Sequence, residues 1–366
     1  MRILLAARRF APVVGGMERF IDTLAGWLSG QGEEVTLMTG TSAPANFDDG
    51  RPYRVVRGPD LAAIRAEIGA SDVLHMQGET LRTMAMAVSA GRRPVVTHHG
   101  CATLCPTALA WSPVGPCDAS PRRPGPCANC PVQGRRAART VRAQRIAARI
   151  AKRNVHVSRF LRDRLGLPRP AVGSTPSPIS SSGGALSVSG KSDLIAFVGR
   201  LEPEKGLDLV LGALCDLDGG RLEVAGDGRT RPRLEGLVDE LGLRSRVRVL
   251  GEVEPEAVAD LYGRAAVACV ASRCGESFGY AAAEPMAMER CVVALNVGAV
   301  TELLSGDRGY LATAPTSEAL RNALEDALAD PAGRVGRAAA GARFADEHFT
   351  IERAGEAYRR IYAAAD

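Results

Sequence analysis

Two stretches in the second half of the chain gather residue types suited to a charged, oxygen-rich ligand. Phe197-Val-Gly199-Arg200-Leu-Glu-Pro-Glu-Lys205-Gly206 sets an Arg and a Lys five residues apart, just after an apolar run that ends in glycine. Two fixed cations at the carboxyl end of a strand suit a pyrophosphate, because they bind it and neutralise the charge it takes on as it leaves. A solvated basic loop is the plainer use of the same residues. Glu276-Ser277-Phe278-Gly279-Tyr280-Ala-Ala-Ala-Glu284 then places two carboxylates eight positions apart, the first in a glycine-bearing loop and the second inside the helix that follows. One can meet sugar hydroxyls while the other reaches a ribose, and the Ser-Phe-Gly amides are aimed at phosphate. Two surface glutamates would not need a Phe-Gly turn beside them.

In the first half, Gly15-Gly16 follows an apolar run and precedes a helical pattern whose first turn holds Glu18. Paired glycines there let backbone N–H groups approach a phosphate or sugar at a helix N-terminus, and a tight turn uses them equally well. Neither this pair nor Gly226-Asp-Gly228 completes G-x-G-x-x-G, which argues against a dehydrogenase, and no P-loop pattern occurs. In Val95-Val-Thr-His98-His99-Gly100, strand alternation sends the two histidines to opposite faces, so only one easily reaches a ligand. His98 is expected to be a packed or surface histidine, and His99 the one that points toward a ligand.

Five of the nine cysteines crowd into Cys101-x3-Cys105-x11-Cys117-x9-Cys127-x2-Cys130. The closing C-x2-C with two thiols upstream fits a structural zinc site formed by Cys105, Cys117, Cys127 and Cys130, in which thiolates replace a missing apolar core. Two disulfides or an iron–sulfur cluster fit the same spacing.

The elements that must position these residues alternate in the manner of parallel sheets wrapped by helices. Apolar runs at 3–7, 35–38, 73–76 and 95–98, with a helix at 17–29, make a first domain over 1–180. Residues 101–134 interrupt it with Pro, Gly and Cys. An Arg-rich helix follows over about 135–152, and residues 155–158 read as a strand. Arg135, Arg139, Arg142, Arg145 and Arg149 of that helix lie on one stripe without bulky apolar anchors, which predicts a solvated face rather than a membrane contact. Residues 171–192, rich in Ser, Gly and Pro, read as a linker. Runs at 194–198, 222–225, 247–250, 267–270 and 292–295 make a second Rossmann-like domain over 181–350, and 351–366 is an amphipathic helix able to pack back on the first.

The 366 residues suit two domains, and a net charge of +5 falls short of the concentrated basic footprint of nucleic-acid binding. The first apolar run is too short for a signal peptide and no stretch approaches a membrane span, so a cytoplasmic protein with reduced thiols is expected.

Gly199-Arg200 with Lys205-Gly206, Ala-Gly-Asp-Gly at 225–228, Gly251 and the Glu276…Glu284 pair together resemble retaining glycosyltransferase family 4. The likeness covers nearly the whole chain and is densest over 194–304. It implies a GT-B fold, two Rossmann-like domains facing each other across a cleft, and chemistry that needs no cofactor. Arg200 and Lys205 resemble the pyrophosphate clamp, Glu276 the donor-sugar ligand and Glu284 the ribose ligand. Ser277, Phe278, Gly279 and Tyr280 match the stretch that touches sugar and phosphate, Gly15 and Gly16 the N-terminal phosphate loop, and His99 the active-site histidine. Glu289 and Cys291 stand where the family usually has Gly and Pro, and Gly298-Ala299 replaces a glycine pair.

The resemblance implies retaining transfer of a hexose or N-acetylhexosamine from a nucleotide diphosphate sugar, a UDP-sugar foremost, to a small polar acceptor such as a bacterial secondary-metabolite aminocyclitol. Two other functions share the architecture: a nucleotide-sugar epimerase, which consumes donor without acceptor, and a non-catalytic nucleotide-sugar-binding protein.

Overall fold

The computed structural model describes residues 1–364 apart from Val14, Glu79, 113–116, Asp118, 128–129 and 172–191. The expected linker therefore lies outside the described residues except at its ends. The chain forms two compact units, Met1–Pro178 with Phe349–Asp366, and Ile179–His348.

Unit 1 carries β1 (Arg2–Ala7), α1 (Gly16–Gly30), β2 (Glu34–Thr39), β3 (Arg54–Arg57), α2 (Leu61–Ala70), β4 (Val73–Gln77), α3 (Leu81–Ser89), β5 (Val95–His98), α4 (Arg135–Ile150), β6 (Arg153–His156) and α5 (Arg159–Leu165). Its strands run parallel in the order β3-β2-β1-β4-β5-β6. Alternation on β1 feeds both faces: Ile3 and Leu5 join Phe20, Leu24 and Leu28 of α1, while Leu4 and Ala6 join Ile64, Ile68 and Met84 of α2 and α3. A strand buried on both faces reads as a continuous apolar run, which is how it shows in the sequence. The strand expected at 155–158 lies two residues earlier, so His156 closes β6 and Ser158 caps α5, accepting from Leu161 N–H.

Unit 2 follows with β7 (Leu194–Val198), a 3-10 turn (Pro203–Lys205), α6 (Leu207–Cys215), β8 (Arg221–Ala225), α7 (Arg231–Glu240), β9 (Val247–Gly251), α8 (Pro255–Arg264), β10 (Val267–Val270), α9 (Tyr280–Ala287), β11 (Val292–Leu295), α10 (Ala299–Leu304), β12 (Tyr310–Ala312), α11 (Ser317–Ala329) and α12 (Pro331–His348). Its parallel order, β12-β11-β10-β7-β8-β9, is that of unit 1 again, two strands on one side of the first and three on the other. This is the doubly wound α/β arrangement, in which strand order reverses at a switch point and ligands bind beyond the carboxyl ends there. The switch points are β1/β4 in unit 1 and β7/β10 in unit 2.

The last helix, α13 (Ile351–Ala363), belongs to unit 1 and is capped by Thr350, whose hydroxyl accepts from Arg353 N–H. Gly355 lets it lie on α1, since a Cβ there would sit 2.2 Å from the Trp27 ring. Tyr358 and Tyr362 are thereby buried completely, on the face of the sheet that α1 also covers. Among the described residues no helix is long and apolar enough to cross a membrane.

Candidate functional site

In unit 2 the two strands at the switch point deliver the charged residues. β7 runs into Gly199, whose N–H donates to Ala225 O, and the loop after β8 presses against it. A Cβ on Gly226 would fall 1.9 Å from Gly199 O, and one on Gly228 would fall 2.4 Å from Leu201 O. The Gly-Asp-Gly run is therefore a packing device. Gly206 has φ +70°, a left-handed conformation, and a Cβ there would lie 2.1 Å from Ala271 O, so Lys205-Gly206 sits against the loop that leaves β10.

That contact brings Lys205 to Glu276, with Nζ 2.5 Å from Oε1, and Ser272 Oγ donates to the same oxygen at 2.6 Å. Burial pushes the Glu276 carboxyl up, but Lys205 and the Ser272 hydroxyl more than offset it, and the net shift is downward. Burial pushes the Lys205 ammonium down, Glu276 more than offsets that, and it ends raised. Both groups stay charged at neutral pH. Arg200 is exposed and pairs with the buried Glu204 at 3.1 Å. Among these residues, Arg200 and Lys205 leave opposite ends of one turn whose backbone is held by Arg273, which donates to Pro203 O and grips Asp208 with two bonds of 2.7 Å.

Glu276 is fixed from its other side by Ala299 N–H, which donates to Glu276 O at 2.9 Å. Gly298 supplies the close approach, since a Cβ there would meet Glu276 N at 2.6 Å. The glycine-demanding position is thus Gly298, and Ala299 simply opens α10, buried and helical. Ser277 is half-buried and Phe278 is buried. Gly279 takes φ +93° as the residue before α9, Tyr280 starts that helix, and Glu284 follows one turn later, near enough to raise the Tyr262 hydroxyl after burial has already done so. Glu289, where the resemblance expects glycine, takes φ +56°.

In unit 1, Gly15 precedes α1 and Gly16 is its first residue. The Glu18 carboxylate folds back over Gly15, where a Cβ would come within 2.4 Å of its Oε2, and Arg9 stands 3.5 Å from its Oε1. A carboxylate at a helix N-terminus is favoured by the dipole, so this loop already holds one negative group of its own. His99 follows β5, half-buried, with Nε2 donating to Gln77 Oε1 at 2.8 Å and its ring edge-on to Phe20. Burial, with His98 close by, pushes it down to about 3, so it is neutral at pH 7. His98 instead bonds Asn154 Oδ1 at 2.8 Å and stacks on His156.

Cys105, Cys117, Cys127 and Cys130, the thiols expected to hold zinc, lie in a segment of which 113–116, Asp118 and 128–129 are outside the described residues. Cys117 and Cys127 have sulfurs 3.8 Å apart, Cys105 bonds the Thr107 hydroxyl, and Cys130 bonds Val132 O. All nine cysteines are free thiols, and burial first, then Cys105 and Cys127, pushes Cys117 up to about 12. Among the described residues no three His, Cys, Asp or Glu side chains are grouped to hold a metal ion.

Sequence reasoning missed Ser272, Arg273, Asp208 and Gln77. Gln77 was the most accessible, because it ends β4, a strand of the switch point.

Residues 185–343 match the family described as Glycosyl transferases group 1. A D-inositol 3-phosphate glycosyltransferase of Xylanimonas cellulosilytica is 40% identical over 180 residues, 48% of this chain and 43% of that protein. An alpha-D-kanosaminyltransferase of Streptomyces kanamyceticus is 30% identical over 46% of this chain and 45% of its own length. The chain thus matches less than half the length of these curated relatives. Among solved structures, sucrose-phosphate synthase from Thermosynechococcus elongatus superposes with a TM-score of 0.78 at 20% identity, covering 99% of both chains. Anabaena HepE in complex with UDP-glucose gives 0.74 at 16% identity, covering 100% of both. These likenesses show the fold, the GT-B pairing of two Rossmann-like units.

Proposed function

We propose that the chain is a retaining glycosyltransferase that takes a hexose or N-acetylhexosamine from a nucleotide diphosphate sugar. The observation that carries this reading is the Arg200, Lys205 and Glu276 group at the β7/β10 switch point, with Lys205 and Glu276 in direct contact. In the reaction the bond from the anomeric carbon to the β-phosphate oxygen breaks, and its electron pair stays on that oxygen. Arg200 and Lys205 neutralise the charge that grows there, which lowers the barrier only because they are held in place beforehand. The acceptor oxygen attaches to the same face of the sugar, and its proton passes to the departing phosphate. Glu276, kept ionised by Lys205, orients the sugar hydroxyls and steadies positive charge at the anomeric carbon. Glu284 takes the ribose, and Ser277 to Tyr280 lie along the phosphates at the start of α9.

A uracil nucleotide is the base this reading favours, in keeping with HepE, solved with UDP-glucose. The names of the relatives, acting on D-inositol 3-phosphate or transferring kanosamine, support a small polyhydroxylated acceptor, an aminocyclitol among them. The compartment proposed is the cytoplasm, where nucleotide sugars are made and nine thiols stay reduced.

Turnover of UDP-sugars with a panel of cyclitols and aminocyclitols tests the reading. Glu276→Ala is expected to fold and to lose transfer. Unchanged turnover in that variant removes Glu276 from the chemistry. Donor consumed with no acceptor present makes the chain an epimerase, and donor bound but never consumed makes it a binding protein.

A further inference from the structure

Behind His99 lies a buried chain of polar side chains that runs to the C-terminal helix. Gln77 Oε1 accepts from His99 Nε2, and the Gln77 amide nitrogen stands 3.2 Å from His75 Nε2. His75 Nε2 is also 2.8 Å from Thr97 Oγ1, and His75 Nδ1 is 2.6 Å from the Tyr362 hydroxyl. Thr97 Oγ1 meets the Tyr358 hydroxyl at 3.0 Å. His75, Thr97, Tyr358 and Tyr362 are fully buried, and His75 stacks on the Tyr358 ring. Every residue of the chain belongs to unit 1.

Donors and acceptors must match along such a chain. With its carbonyl turned to His99, Gln77 offers only N–H groups to His75. The Gln77 amide nitrogen stands beside both ring nitrogens of His75, 3.2 Å from Nε2 and 3.4 Å from Nδ1, so the buried imidazole holds the amide in place. His75 is held in turn by hydrogen bonds to the Thr97 hydroxyl at Nε2 and the Tyr362 hydroxyl at Nδ1, and Thr97 is bonded to the Tyr358 hydroxyl. At the other end, His99 is the Nε2–H tautomer and keeps its lone pair on Nδ1.

We propose that Gln77 is a positioning residue that sets the tautomer and ring orientation of His99, and that α13 holds Gln77 in that setting through His75, Tyr362, Thr97 and Tyr358. A neutral imidazole with a fixed bare nitrogen can accept a hydrogen bond from a substrate hydroxyl without losing time to ring rotation. The inference that this serves glycosyl transfer rests on the functional reading above. The tautomer itself does not.

The decisive experiment is therefore nuclear magnetic resonance of the ring nitrogens, which needs neither donor nor acceptor. The full chain has five histidines, and the His99 signals are assigned by their loss in His99→Gln. Wild type is expected to show His99 as Nε2–H and uncharged from pH 8 to pH 5. Gln77→Leu is expected to lose that single tautomer while its far- and near-ultraviolet dichroism stay native. Gln77→Glu, which keeps the acceptor and adds a negative charge, is expected to keep Nε2–H and to raise the His99 titration midpoint by one unit or more. An Nδ1–H tautomer in wild type, or an unchanged His99 in folded Gln77→Leu, overturns the proposal. If Gln77→Leu does not fold, Gln77→Glu decides alone, and a midpoint that does not rise overturns it. Where transfer is measurable, Gln77→Leu lowers kcat about tenfold with KM for donor within twofold. A loss confined to KM counts against positioning of His99.

Discussion

At the β7/β10 switch point, unit 2 presents Lys205 against Glu276, Arg200 against Glu204 and Arg273 against Asp208. At the matching β1/β4 point and the next strand over, unit 1 presents His99, Gln77, His75 and Thr97, all uncharged, joined by hydrogen bonds and backed by tyrosines. One strand order thus frames two electrostatic environments. The charged group suits an anionic diphosphate, whose charge grows on departure. The neutral network suits a partner that brings hydroxyls and is oriented rather than neutralised. The electrostatic difference follows from which side chains the strand ends carry, because the sheets themselves are alike.

The comparison predicts unequal consequences when each site is damaged. Lys205→Met should cost the most, lowering transfer by about 100- to 1,000-fold as expected for losing one preorganised cation at the leaving group. It also leaves Glu276 without its cation, so Lys205→Met with Glu276→Gln should regain melting temperature while transfer stays lost. Recovery of transfer in the double variant would contradict the charged assignment. Gly206→Ala comes next. A Cβ would lie 2.1 Å from Ala271 O at a left-handed residue, and the expected loss is about 3 kcal/mol of stability by denaturant titration.

Acid should separate the units. Burial pushes His75 and His156 down to about 3, so both stay neutral in the folded chain while the unfolded chain takes up protons near 6.5. Their contribution is full above pH 6.5 and shrinks as pH falls toward 3, by about 1.4 kcal/mol per pH unit for each histidine. Glu276 has a lowered value, so its contribution is present above the ordinary carboxyl range near 4.5 and is lost only below that, as pH falls through the folded value. Hydrogen exchange from pH 7 to pH 4.5 should therefore show unit 1 loosening first. Simultaneous loosening, or unit 2 leading, breaks the contrast. The smallest effect is a gain: Glu289 holds φ +56° at the turn after α9, and Glu289→Gly should raise stability by about 1 kcal/mol in a thermal melt.

The contrast also governs what could be read from the sequence. Among the described residues β1, β4, β5, β7, β10 and β11 stand out as mostly apolar runs because parallel strands buried on both faces are apolar on both faces. β3 (Arg-Val-Val-Arg) and β12 (Tyr-Leu-Ala) do not, being short edge strands with half-buried residues whose sequences carry little signal. Arg200, Lys205, Glu276 and Glu284 were legible because turn glycines at fixed spacing mark them. The network around His99 was not, since it joins β4, β5 and α13 across 287 residues between His75 and Tyr362 and no local pattern records that meeting. The cysteine segment gives the opposite case. Its spacing is conspicuous, yet spacing alone fixes no side-chain geometry: Cys117 and Cys127 bring their sulfurs to 3.8 Å, while Cys105 bonds the Thr107 hydroxyl and Cys130 bonds Val132 O.

The most direct test of the account is donor binding by thermal shift, with UDP-, GDP-, ADP- and TDP-sugars offered to wild type and to Glu284→Ala. A ligand of the native state raises the melting temperature by mass action. The account predicts that one nucleotide class, the UDP-sugars, stabilises wild type and fails to stabilise Glu284→Ala. No stabilisation by any nucleotide sugar, or equal stabilisation of both proteins, would contradict it.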